Sequence, residues 1–168
     1  IATGEKVAQR GYTPSVFALI PKLLERAGTS PKGTITGVYT VLVDGDDTNE
    51  PIADCVRGIL DGHIVLDRKL AHAGHYPAID VLSSISRVTN NILDKESISE
   101  MNEFRELLHT YKNVEDLLNI GAYQRGINCH TDKAIDLYPQ CVRFLKQDRD
   151  TYFSVSETRE MLKKVING

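Results

Sequence analysis

What this 168-residue chain lacks narrows its reading more than what it is rich in. It has no G-x-x-x-x-G-K-[ST] phosphate loop; the one Lys–Gly pair, in Pro31-Lys32-Gly33, is reversed and stands in a turn before a strand. G-x-S-x-G, H-E-x-x-H and Cys–His arrangements are missing too, so the sequence shows no complete catalytic site. Cysteine is scarce: Cys55, Cys129 and Cys141 are odd in number, widely spaced and without C-x-x-C, which argues against a disulfide scaffold and for a reducing cytoplasm. The histidines are scattered, and the pair His72 and His75 has no acidic or Cys partner at ligand spacing; it reads as surface or turn histidines, and no metal site is expected. Net charge is −3 with no Lys/Arg block, which disfavours generic nucleic-acid binding. No apolar run approaches the roughly 20 residues of a membrane-spanning helix. The first residues, with Glu, Lys, Gln and Arg among them, are not a secretory leader. The chain opens on Ile1 with no strand or cap logic, and is expected to start inside a larger protein.

What remains is a globular composition, 41% hydrophobic and 26% charged. Thr13-Pro14 opens a helix expected over 14–27, with Val16, Ile20, Leu23, Leu24 and Ala27 at helical spacing and Gly28 as its stop. Residues 34–43 are β-branched, aromatic and nearly continuously apolar from Val38, which predicts a central strand covered on both faces. A loop of turn residues, 44–49, leads into a short helix over 51–60. Strands are expected at 63–67 and 78–82, with a helical turn between them ending at Gly74. This alternation points to a parallel α/β sheet. After Ser86 the pattern becomes wholly helical. Helices are expected at 97–109, 113–120, 131–145 and 157–166, with a kink or break at Pro139. The fold class is therefore α/β followed by an all-helical domain, divided into 1–92 and 93–168.

The segment His75-Tyr76-Pro77-Ala78-Ile79-Asp80-Val81-Leu82-Ser83-Ser84-Ile85-Ser86-Arg87 stands out. It is a strand opened by a Pro and followed by a polar turn that presents one Arg. In open α/β sheets ligands bind beyond the carboxyl ends of strands, where an Arg can meet an anion. By local chemistry alone Arg87 is a surface ion-pair partner and Tyr76 a packing residue. The acidic cluster Asp44, Asp46, Asp47 and Glu50 lacks EF-hand spacing and reads as a solvated loop with Asx turns.

The same segment resembles the H-Y-P-A-I-D-V-L-x-S-x-S-R signature of the rotary and secretion ATPases, and of the flagellar, type III protein-export branch in particular. The resemblance runs from Gly4 to about Leu118. Val41-Leu42-Val43-Asp44-Gly45-Asp46-Asp47-Thr48-Asn49-Glu50-Pro51 is similar to that branch's E-G-D-D-M-N-[ED]-P run, with Thr48 in the place of Met, and Arg10-Gly11-Tyr12-Thr13-Pro14 resembles a loop near its central channel. The resemblance implies the C-terminal half of a RecA-like nucleotide-binding domain, followed by a helical domain. It implies that Arg87 is an arginine finger reaching the γ-phosphate on a neighbouring subunit, since a guanidinium fork suits the charge that phosphoryl transfer builds on equatorial oxygens. Tyr76 would pack on the adenine ring, and Tyr123 would close its other side. The cofactors implied are ATP and Mg, whose phosphate-binding and metal-binding residues lie upstream of this chain. Implied partners are further copies in a hexameric ring, export stalk and regulator proteins, and chaperone–substrate complexes. The implied location is cytoplasmic and peripheral at the membrane export gate. Virulence secretion and V- or F-type rotary subunits share much of the signature. The rival from another class is a non-enzymatic helical interaction module.

Overall fold

The computed structural model describes residues 11–43, 45 and 50–168, and the chain divides into two compact units, Ile1–His63 and Ile64–Gly168. The first contains helix α1 (Pro14–Leu24), strands β1 (Gly28–Ser30) and β2 (Gly33–Ile35), and helix α2 (Pro51–Ile59). Pro14 starts α1 as expected, but α1 ends at Leu24, short of residue 27, and runs through Pro21. Strands β1 and β2 form an unanticipated antiparallel hairpin, Ser30 opposite Gly33, closed by Pro31 and Lys32. Glu50 caps α2 by accepting from the Ala53 N–H at 2.9 Å. The other acidic residues of that loop, Asp44, Asp46 and Asp47, with Thr48 and Arg10, lie outside the described residues.

The long strand expected over 34–43 does not form. Only Gly33–Ile35 is strand, and Val38 and Leu42 are each 90% exposed. A buried strand needs hydrogen-bonding neighbours on both sides. Among the described residues none lies beside 36–43.

Strand β3 (Gly62–Leu66) pairs with β4 (Ile79–Ser86), with α3 (Arg68–His72) between them. Asp67 caps α3, and Gly74 ends the turn at φ +66°, a conformation that costs glycine little. Beyond β4 the chain is helical: α4 (Thr89–Ile92), α5 (Lys95–Asn119), α6 (Cys129–Leu145) and α7 (Val155–Asn167). Two helices expected before Gly121 are one, because His109-Thr110-Tyr111-Lys112 contains no breaker. At 1.5 Å per residue α5 is about 37 Å long. Gly121 stops it at φ +69°, and the Ala122 N–H returns to the Leu117 carbonyl at 2.8 Å. Nor is α6 broken at Pro139. The core residues Leu137 and Cys141 flank that proline, and their burial offsets a lost backbone bond and ring clash of about 3 kcal/mol. Ser154 and Glu157 form a reciprocal capping box at the start of α7.

The core of this unit is a three-helix stripe. Phe104, Leu107 and Leu108 of α5 meet Ala134, Leu137 and Cys141 of α6 and Val165 and Ile166 of α7, with Val81 and Leu82 of β4 packed against them. Spacings of three and four put the α5 and α6 sets each on one face, and Leu162 extends Val165 and Ile166 in the same way on α7. Phe104 and Phe144 meet edge to face at 5.3 Å, and Tyr111 and Tyr138 stack at 3.4 Å. At one end Arg159 reaches Asp94, Glu96 and Glu100, and Lys163 reaches Glu96 and Glu100, tying α7 to the start of α5.

Candidate functional site

Strand β4 is longer than its apolar run predicts. It continues past Leu82 through Ser83, Ser84, Ile85 and Ser86, so the expected polar turn is strand, and Arg87 is the first residue beyond it. Asp80 organises this extension. Its Oδ1 accepts from the N–H groups of Leu82 (3.0 Å) and Ser83 (3.1 Å), and its Oδ2 from the Ser83 hydroxyl (2.7 Å). Burial pushes the Asp80 carboxyl up, but the two Ser83 bonds, the Lys112 charge and the Leu82 bond outweigh it and hold the group below the usual carboxylate range. The Ser84 hydroxyl donates to the Asp80 carbonyl (2.6 Å) and accepts from the Val65 N–H (3.0 Å), so one side chain ties β4 to β3.

From α5, Arg105 reaches the same stretch. Its Nη1 donates to the Val81 carbonyl at 2.6 Å and the Ser84 carbonyl at 3.4 Å, and its Nη2 to the Leu82 carbonyl at 3.0 Å. Arg87 is exposed at the strand end, and α4 begins two residues later, where the Thr89 hydroxyl donates to the Ser86 carbonyl.

Tyr76 lies at the other end of β4, before a cis Tyr76–Pro77 bond, and is 58% exposed. It borders a cleft of about 580 Å³, with Gly74 on its own side and Pro139, Val142, Arg143, Lys146, Gln147 and Asp148 from the end of α6 and the loop beyond. The Gln147 N–H donates to the Tyr76 carbonyl at 2.9 Å. Beside it His75 is buried while His72 is exposed: His72 lies at the surface, as one half of the reading has it, and His75 lies at the turn after α3, as the other half has it, but drawn inside. Burial, then the Lys146 charge, push the His75 imidazole below its usual range.

Tyr123 does not line that cleft. It follows α5, and its hydroxyl donates to Asp132 Oδ1 at 2.9 Å, in the first turn of α6, while Asp132 Oδ2 accepts from the Gly126 N–H. Pro139 to Lys146 occupy the opposite end of α6. The structure thus brings Tyr76 together with Arg143 and Lys146 but not with Tyr123. Asp80, Ser84 and Arg105 escaped the sequence reading. A signal existed for Arg105: it continues the apolar series Ile98, Met101 and Leu108 at spacings of three and four, a charge on a core-facing stripe.

Comparison with known proteins gives the family. Residues 1–86 match the family model described as the ATP synthase alpha/beta family, nucleotide-binding domain. The chain belongs to the ATP synthase alpha/beta family. Residues 93–164 match a second model, the T3SS EscN ATPase C-terminal domain. The flagellum-specific ATP synthase of Bacillus subtilis (strain 168) is 63% identical over 150 residues, which are 89% of this chain and 34% of that protein. The assembled ATPase EscN from the enteropathogenic E. coli type III secretion system superposes with a TM-score of 0.95 at 48% identity, covering 98% of this chain and 40% of that one. A structure of assembled EscN in complex with its central stalk EscO superposes with a TM-score of 0.88 at 47% identity, over 98% and 39% of the two chains. This chain thus spans about a third of the length of the curated relatives it matches, and the likeness extends well past Leu118, the limit of the signature resemblance. The model that matches residues 1–86 is that of a nucleotide-binding domain. No helix among the described residues is long and apolar enough to cross a membrane.

Proposed function

We propose that this chain is part of a ring-forming ATPase that hydrolyses MgATP to drive flagellar, type III protein export. The observation that carries this reading is Arg87, exposed immediately after β4, in a chain whose two matched segments are a nucleotide-binding domain and a secretion-ATPase C-terminal domain. The division at 92/93 is the boundary we assign between those two parts. Arg87 acts in trans on the γ-phosphate bound by a neighbouring subunit. A planar fork of donors at the end of a strand whose preceding carbonyls are bound by Arg105 suits charge that appears in the transition state.

Tyr76 offers a largely exposed aromatic face beside a cleft, which supports a stacking role under adenine. ATP, when bound, supplies the transferable phosphoryl group, and Mg accompanies it; no residue of this chain is assigned to the metal. Tyr123 is read differently. Its hydroxyl is committed to Asp132 at the far end of α6, and it anchors the α5–α6 loop.

The whole protein assembles as a homohexamer and works with a stalk protein, regulators and chaperone–substrate complexes, at the cytoplasmic face of the membrane. The assembled EscN and its complex with the central stalk EscO support self-assembly and a stalk partner. The flagellar assignment over virulence secretion rests on one relative, the 63% identical flagellum-specific ATP synthase of Bacillus subtilis; other flagellum-specific relatives, at 46% to 53%, stand level with a SPI-2 type 3 secretion system ATPase at 53%.

The test is Arg87→Ala in the full-length protein. Turnover should fall on the order of 10³-fold or more, with nucleotide affinity much closer to normal. Mixing these subunits with subunits defective in the phosphate-loop Lys should restore part of the activity, because one kind of interface then carries both intact halves. Normal turnover in Arg87→Ala overturns the reading.

A further inference from the structure

Among the described residues Arg105 hydrogen-bonds to no carboxylate and spends its guanidinium on backbone instead. Three carbonyls of one strand, Val81, Leu82 and Ser84, receive its two terminal nitrogens at 2.6, 3.0 and 3.4 Å. Its neighbours Phe104 and Leu108 sit in the core against which Val81 and Leu82 pack, so α5 is pressed on β4 where the guanidinium crosses it. The last of the three carbonyls lies three residues before Arg87. The same stretch of backbone gives the N–H groups of Leu82 and Ser83 to the Asp80 carboxylate, and the Ser84 hydroxyl accepts from the Val65 N–H. The backbone leading to Arg87 is thus held by donors from α5 and by acceptors from β4 itself. The Arg105 bonds also join the segment matched to the secretion-ATPase C-terminal domain to the segment matched to the nucleotide-binding domain.

We propose that Arg105 is a positioning residue for Arg87, through which the helical segment sets the placement of the trans-acting guanidinium. The proposal rests on the Arg87 reading above. A brace of this kind acts on orientation. A displacement of about 1 Å in a reacting group can cost on the order of 10²-fold in rate, while ground-state binding at Tyr76, the opposite end of the strand, is left alone. It also gives the helical segment a physical handle on turnover: whatever shifts α5 along β4 shifts the strand end with it.

The experiment uses the full-length protein with Arg105→Gln, Arg105→Lys, Arg87→Ala and the double variant Arg87→Ala/Arg105→Gln. Lysine keeps one charged donor group but cannot fork across several carbonyls. We expect kcat of Arg105→Gln to fall on the order of 10- to 100-fold with KM for MgATP nearly unchanged, and Arg105→Lys to be intermediate. The double variant should be no slower than Arg87→Ala, because Arg105 acts only through Arg87. Arg105→Gln should be complemented in mixed rings by phosphate-loop-defective subunits, as Arg87→Ala is, an outcome that general loss of folding does not produce. Should Arg105→Gln not fold, Arg105→Lys carries the same four comparisons. Normal kcat in Arg105→Lys and Arg105→Gln beside a slow Arg87→Ala overturns this proposal alone, as does a multiplicative loss in the double variant. Normal kcat in Arg87→Ala overturns the Arg87 reading and this proposal with it.

Discussion

The backbone N–H of Gln147 donates to the carbonyl of Tyr76 at 2.9 Å, joining the loop after α6 to the turn that opens β4. The Tyr76 ring therefore projects from a turn whose backbone is held from two sides, since the adjacent His75 N–H also bonds the Leu70 carbonyl. An aromatic face that is fixed and exposed loses little entropy on stacking a base.

Tyr76→Ala in the full-length protein should raise KM for ATP by about 5- to 100-fold, the range that losing one base–aromatic stack implies, with kcat changed less. Tyr76→Phe should behave as wild type, because the ring face and not the hydroxyl makes the contact. Steady-state kinetics of both variants check this; an unchanged KM in Tyr76→Ala would remove Tyr76 from the adenine site.

His75 makes stability pH-dependent. Its imidazole titrates below the usual range in the folded chain, by burial and by Lys146, so on acidification the unfolded chain takes up the proton first. Stability from this group is present above about pH 6.5 and is lost as the pH falls through the lowered folded value. The urea midpoint of the 168-residue chain should therefore drop between pH 7.5 and 5.5, and His75→Gln should flatten that slope. An equal slope in the two proteins would show that His75 does not govern it.

Cys141 is fully buried and its thiol is pushed up to about 11 by burial, whereas Cys129 is exposed. Alkylation proceeds through the thiolate, so iodoacetamide at pH 8 should label Cys129 first and leave Cys141 unmodified until the chain is unfolded. Mass spectrometry of the labelled peptides in native buffer and in denaturant reads this directly. Early labelling of Cys141 would contradict the packing of α6 against α5.

Much of this protein is set locally and could be read without coordinates. Pro14 and Pro51 start helices and Gly74 and Gly121 end them, because breakers and capping glycines act within a turn of their own position; the Ser154–Glu157 capping box is equally local but starts α7 two residues ahead of the helix expected from 157. The core stripes of α5, α6 and α7 follow from helical spacing of apolar residues, and the motif that ends at Arg87 carried the family. What needed tertiary structure is non-local. An apolar run such as 36–43 becomes a strand only beside other strands, and none lies beside it among the described residues. Pro139 stays inside α6 because contacts on both sides of it outweigh a local penalty. Tyr76 and Tyr123 are alike in sequence as tyrosines beside turns, and only the path of α6 between their neighbours sets them at its opposite ends. Arg105 shows the same limit. Its spacing marks it as a charge on a buried face, but the strand whose carbonyls it binds lies more than twenty residues away along the chain, where only folding brings the two together.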